Sequence, residues 1–193
     1  MVKAVIREIK SSFGRYLAIL AIIALGTGFL CGLMLTRPAM LHTLGTYLDE
    51  TSFYDFRLVS TIGYEQASVG KMARLDCAAA AEGVLAKDAL FTLPGGEDKV
   101  FKAYSMTEST NRLELSAGRL PERPNECVAD WLAFGENDIG KTLRLSDVND
   151  GDTLDDFAYS EYTIVGVATS PEYINYERGS TSLGTGTVAG YLY

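Results

Sequence analysis

The chain has 193 residues, of which 47% are hydrophobic and 22% charged, with a formal net charge of −8. That balance excludes a disordered or low-complexity chain, and it leaves no basic surface to neutralise the phosphates of a nucleic acid. Three cysteines and a single histidine are too few for a four-ligand Cys/His zinc site of the usual kind.

The charge is not spread evenly. Residues 1–37 hold five cations (Lys3, Arg7, Lys10, Arg15, Arg37) against Glu8, a net +4, so residues 38–193 carry −12. The first fifteen residues place Val2, Val5, Ile6, Ile9 and Phe13 on one helical stripe, with Lys3, Arg7 and Lys10 on its flank. A basic amphipathic helix of this kind lies along an inner membrane surface or docks on a cytoplasmic partner. A plain positive-inside anchor accounts for the same charges, and the sequence does not separate the two.

Between Arg15 and Arg37 there is no charge, and residues 16–36 are an almost purely apolar run. As a helix at about 1.5 Å per residue it spans roughly 31 Å, enough for a hydrocarbon core of about 30 Å. A signal peptide would have a shorter apolar region ending in small residues, whereas here Arg37-Pro38 follows. The expected domains are therefore a cytoplasmic segment 1–15, a transmembrane helix 16–36 and an extracytoplasmic part 37–193 in the cell membrane. Ala24, Gly28 and Gly32 recur at four-residue spacing, which lets a second helix approach closely.

Beyond the span, residues 38–50 predict a short helix leaving the membrane. Residues 56–60 predict a strand, and residues 64–82 a helix stopped by Gly83. A hairpin is predicted from 90–93 and 100–104 around Pro94-Gly95-Gly96. Further strands are expected at 142–145, 162–168 and 188–193, giving one mixed α+β domain. The chain ends on Gly190-Tyr-Leu-Tyr193, which reads as mid-strand, so a gene fragment is expected.

Candidate chemical motifs fail on context. Residues 135–142 match the phosphate-loop pattern GxxxxGK[ST], but Glu136 and Asp138 would repel phosphate and no long helix follows; the reading is a turn before a strand. The acidic stretch 147–156 lacks glycine and glutamate at the positions a calcium loop requires, so a solvated hairpin turn is expected. Residues 184–189 fit GxGxxA but precede a strand, unlike a dinucleotide-binding turn. His42, just outside the span, reads as a capping or interfacial residue, and no serine lies in a GxSxG elbow. No catalytic, metal or cofactor residues are assigned. For Cys77 and Cys127 the sequence leaves open a disulfide or two free thiols.

The stretch Ile9-Lys-Ser-Ser-Phe-Gly-Arg-Tyr-Leu-Ala-Ile-Leu-Ala-Ile-Ile-Ala-Leu-Gly26 resembles the start of FtsX-like, MacB-type ABC transporter permeases of Gram-positive bacteria. Phe56-Arg-Leu-Val-Ser-Thr-Ile-Gly63, Leu115-Ser-Ala-Gly-Arg-Leu-Pro121 with Asn125-Glu-Cys-Val-Ala-Asp130, and Ser170-Pro-Glu-Tyr-Ile-Asn-Tyr-Glu-Arg-Gly179 with Leu183-Gly-Thr-Gly186 are similar to segments of their extracytoplasmic core domain, in the expected order. The resemblance implies a MacB-like periplasmic core domain on one span, with further spans downstream. It also implies a separate cytoplasmic ATPase subunit, a second permease subunit, and mechanical transmission through the span and a stalk at 41–48 to export or extract lipid, peptide or drug substrates. No enzymatic residue is carried over. The alternative is a single-pass anchored sensor or ligand-binding module; an anchored extracellular hydrolase is a distant third.

Overall fold

The computed structural model describes residues 12–193. The stripe residues Val2, Val5, Ile6 and Ile9 lie outside the described residues, while Phe13 opens the first helix, α1 (Phe13–Glu50, 38 residues). The chain divides into two compact units, residues 1–47 and 48–193.

Helix α1 contains Pro38 and does not stop there. The expected span and the expected short helix at 38–50 are therefore one element, about 57 Å long at 1.5 Å per residue. Proline removes one backbone donor, and the hydroxyls of Thr27 and Thr36 bond back to the carbonyls of Ile23 and Gly32, at 2.8 and 2.9 Å. The helix is long and apolar enough to cross a membrane, and none of its apolar window is buried against protein. Ile22, Leu25, Phe29 and Met34 are all exposed, the apolar surface that a membrane span would present to lipid.

The second unit is built on one mixed sheet. Its strands are β1 (Ala86–Thr92), β2 (Asp98–Tyr104), β3 (Glu114–Gly118), β4 (Glu126–Asp130), β5 (Thr142–Leu145), β6 (Glu161–Thr169) and β7 (Gly190–Leu192). The short helices are α2 (Gln66–Met72), a 3₁₀ turn Glu136–Asp138, and α3 (Gly151–Asp155). The strand order is β3-β6-β4-β7-β2-β1-β5, and β5 also pairs with β6. Thr163 has Glu126 of β4 on one edge and Thr142 of β5 on the other. Six strands thus close into a ring, with β3 following β5 along the same edge of β6. Closure reduces the free edge, which remains along the first residues of β1, paired to β5 only at Phe91 and Thr92, and on the outer side of β3. Within it β2–β7 and β4–β6 run parallel and the other pairs antiparallel.

Period-two alternation fills the ring. Ala89 and Phe91, Phe101, Cys127 and Ala129, Leu143 and Leu145, Ile164 and Leu192 form one buried cluster. Phe91 and Phe101 meet edge to face with centroids 6.2 Å apart, and Phe134 stacks on Phe101 at 5.4 Å. The hairpin sits where the Pro94-Gly95-Gly96 turn put it: Gly96 adopts φ +81°, and its N–H donates to Leu93 O at 2.8 Å.

Two expected elements are absent or cut short. Residues 56–60 form no strand; Phe56 and Val59 are exposed, and no edge pairs with them. The helix expected over 64–82 ends at Met72, because none of its residues is buried and propensity alone sustains only a short helix. The acidic stretch 147–156 is not a bare turn either. Asp150 caps α3 by accepting from Thr153 N–H at 2.7 Å, and the buried Asn149 bridges to both backbone groups of Leu90 on β1.

Candidate functional site

On α1 the small residues Ala24, Gly28 and Gly32 are all exposed, and a Cβ built on Gly28 or Gly32 meets nothing within 4 Å. The surface there is open to a close-packed neighbour. His42 makes a local contact with Thr46 Oγ1, 3.2 Å from its Nδ1.

The phosphate-loop match resolves into ordinary structure. Residues 136–138 are the 3₁₀ turn, Gly140 takes φ +88°, and strand β5 follows in place of a helix. Asp138 is engaged by Lys141 at 2.7 Å and by Gly135 N–H at 2.8 Å. Gly184 and Gly186, both at positive φ, shape the loop before β7. Among the described residues no three His, Cys, Asp or Glu side chains converge on a metal-sized space. The Cys77–Cys127 bridge is not formed: all three cysteines are free, with Cys77 exposed and Cys127 buried in β4, where burial pushes its thiol up to about 12.

Two features of the second unit concentrate chemistry, and the sequence motifs had pointed at neither. The first is a buried ion pair behind β4. The Arg178 guanidinium is forked onto Asp130, with Nη2 donating to Oδ1 at 3.0 Å and Nε to Oδ2, and Nη1 donates to Asn175 O. Both side chains are almost wholly buried. Burial alone would lower the Arg178 pKa; the Asp130 carboxylate outweighs it, and the net direction is up. The guanidinium also lies 5.5 and 5.3 Å from the ring centres of Tyr173 and Tyr191.

Tyrosines continue the network. Tyr173 stacks on Tyr191 at 4.8 Å and Tyr104 on Tyr193 at 5.1 Å. The Tyr104 and Tyr173 hydroxyls are 2.6 Å apart, Ser170 N–H donates to the Tyr191 hydroxyl, and Ser170 Oγ meets the Tyr193 hydroxyl at 2.8 Å. Burial raises the Tyr104, Tyr191 and Tyr193 phenols, and lifts Tyr173 to about 12. These groups are held neutral and hydrogen-bonded, which suits a packing joint between β4, β7 and the segment 170–189.

The second feature is a cavity of about 480 Å³ on the other side of Tyr104 and Tyr193. Its inner wall is apolar, with Phe91, Cys127, Phe157, Tyr162 and Leu192; its mouth carries Lys87, Arg123, Glu126 and Asp156. Lys87 Nζ is 2.7 Å from Asp156 Oδ2. Glu126 is chelated by both Arg119 Nη atoms at 2.7 Å and accepts the Glu122 and Arg123 N–H groups, which hold its carboxyl near 2. The cavity is a concave, mainly apolar space of the size that takes small ligands.

Asp130 and Arg178 fall within two of the segments quoted for the family resemblance, but they stand 48 residues apart and nothing local ties them together. The cavity had no linear signal, since its lining is gathered from β1, β2, β4, β6, β7 and the loops between them. Comparisons with family models, with curated proteins and with solved structures find no match to this chain.

Proposed function

We propose that the chain is the membrane helix and exterior domain of an FtsX-like, MacB-type ABC transporter permease subunit. In this reading residues 1–15 lie in the cytoplasm beside a separate ATPase subunit, and the sheet unit stands outside as the counterpart of a MacB-like core domain. Nucleotide-driven closing of the ATPase is passed along α1, and the exterior domains of two permease subunits move to export or extract a lipid, peptide or drug substrate.

The observation that carries this reading is the uninterrupted α1. A simple anchor needs about 20 residues, and this helix runs for 38. A continuous helix carries axial displacement, because every turn is tied to the next by hydrogen bonds. The open surface at Gly28 and Gly32 supports packing against further spans, and the +4 flank supports a cytoplasmic N-terminus. The cavity favours the second reading, an anchored ligand-binding module, which needs no ATPase.

The test uses the full-length protein reconstituted with an ABC-type ATPase subunit. Gly28→Leu and Gly32→Leu are expected to weaken assembly and permease-dependent ATP hydrolysis about three- to tenfold, the range of lost small-residue helix packing. Unchanged assembly and unchanged hydrolysis in both variants would contradict the proposal.

A further inference from the structure

The charges around the cavity mouth are unevenly satisfied. Asp156 is taken by Lys87, and Glu126 by the Arg119 fork and two backbone N–H groups. Arg123 reaches the mouth from an exposed loop stiffened by Pro121 and Pro124, and none of the ion pairs among the described residues includes its guanidinium. The site therefore offers an apolar wall, a mouth whose carboxylates are engaged, and one guanidinium with its donor fork unspent.

We propose that this cavity binds an amphipathic anion, an acyl chain ending in a carboxylate, with the chain against Phe91, Phe157, Tyr162 and Leu192 and the carboxylate on Arg123. Size supports it: the volume of 480 Å³, at about 30 Å³ for each water-sized group, holds roughly 16 non-hydrogen atoms, which accommodates a twelve-carbon acid. A cationic amphiphile would meet Arg123 with like charge. A neutral one would gain a hydrogen bond from it without the charge. The −12 of residues 38–193 opposes an anion at long range, but salt screens that field beyond about 8 Å while the contact at Arg123 stays short-range. Burying the chain removes apolar surface from water at both the ligand and the wall. Such binding needs no ATPase and is independent of the permease reading.

The experiment places the full chain in nanodiscs of phosphatidylcholine and labels it with a diazirine-bearing dodecanoate, mapping adducts by mass spectrometry. Adducts are expected within 121–127 and 157–162, displaced about tenfold better by dodecanoate than by dodecanol, the ratio set by one charge-assisted hydrogen-bonded pair. Arg123→Ala should lose about the same factor, and Ala158→Trp, which places a large ring at an exposed lining position, should abolish those adducts. Circular dichroism on both variants keeps a folding defect apart from a binding one. Adducts confined to α1, equal competition by acid and alcohol, or full labelling of folded Arg123→Ala would each overturn the proposal.

Discussion

Arg178 is the residue on which the segment before β7 depends most. Its guanidinium is buried against Asp130 and two tyrosine rings, so removing one partner strands the other charge in a low-dielectric space. Arg178→Met is expected to destabilise the sheet unit by about 3–5 kcal/mol in denaturant unfolding, whereas Arg178→Met combined with Asp130→Leu should recover a large part of that loss. A double variant as unstable as the summed singles would show that the pair acts through more than its charges. Glu82 makes a gentler tie. Partial burial raises its carboxyl, but the Thr110 hydroxyl and the N–H groups of Ser109, Thr110 and Glu108 lower it more, to about 2. A depressed carboxyl stabilises above its ordinary value of 4.5 and loses that contribution as pH falls from there toward 2. Amide-exchange protection at 108–110 should therefore decline over that window, and Glu82→Gln should show the loss already at pH 7. Protection unchanged at pH 2 would contradict it.

Among the elements, the hairpin and strands β5 and β6 were legible because a Pro-Gly-Gly turn and alternating apolar residues leave little freedom. Strands β3 and β4 were not. Glu114-Leu-Ser-Ala-Gly118 has no β-branched residue and Glu126-Cys-Val-Ala-Asp130 only Val128, so their pairing to β6 is a tertiary outcome that propensity does not announce. The reverse error at 56–60 has the same cause: Phe56-Arg-Leu-Val-Ser60 has strand composition, yet a strand exists only where an edge accepts it, and no strand pairs with this segment. The β3–β6 contact depends on two glycines. A Cβ on Gly118, at φ +79°, would lie 2.3 Å from Val165 O, and one on Gly166 would lie 2.4 Å from Arg119 O. Gly166→Ala should cost about 1–3 kcal/mol, since backbone must shift on both strands. Gly95→Ala in the hairpin turn, with open space around it, should stay within about 0.5 kcal/mol. Equal effects at the two sites in urea unfolding would reject this account of the contact.

For the whole molecule, the division of charge was the most informative feature of the sequence. It separated an apolar helix from an acidic sheet domain before any strand was placed, because charge is excluded from a hydrocarbon core whatever the fold outside it. The cavity and the Arg178 joint stayed hidden, as both are assembled by ring closure from residues far apart in the chain. The proposed coupling is tested most directly at Cys77, an exposed thiol in the sheet unit, while Cys127 is buried and Cys31 lies within α1. A spin label on Cys77, with Cys31→Ala removing the other exposed thiol, reports the separation of two sheet units in the proposed complex of permease and ATPase. The account predicts that the label-to-label distance distribution shifts between the nucleotide-free and the ATP–vanadate states. A distribution that is the same in both states, in a preparation that hydrolyses ATP, would contradict it.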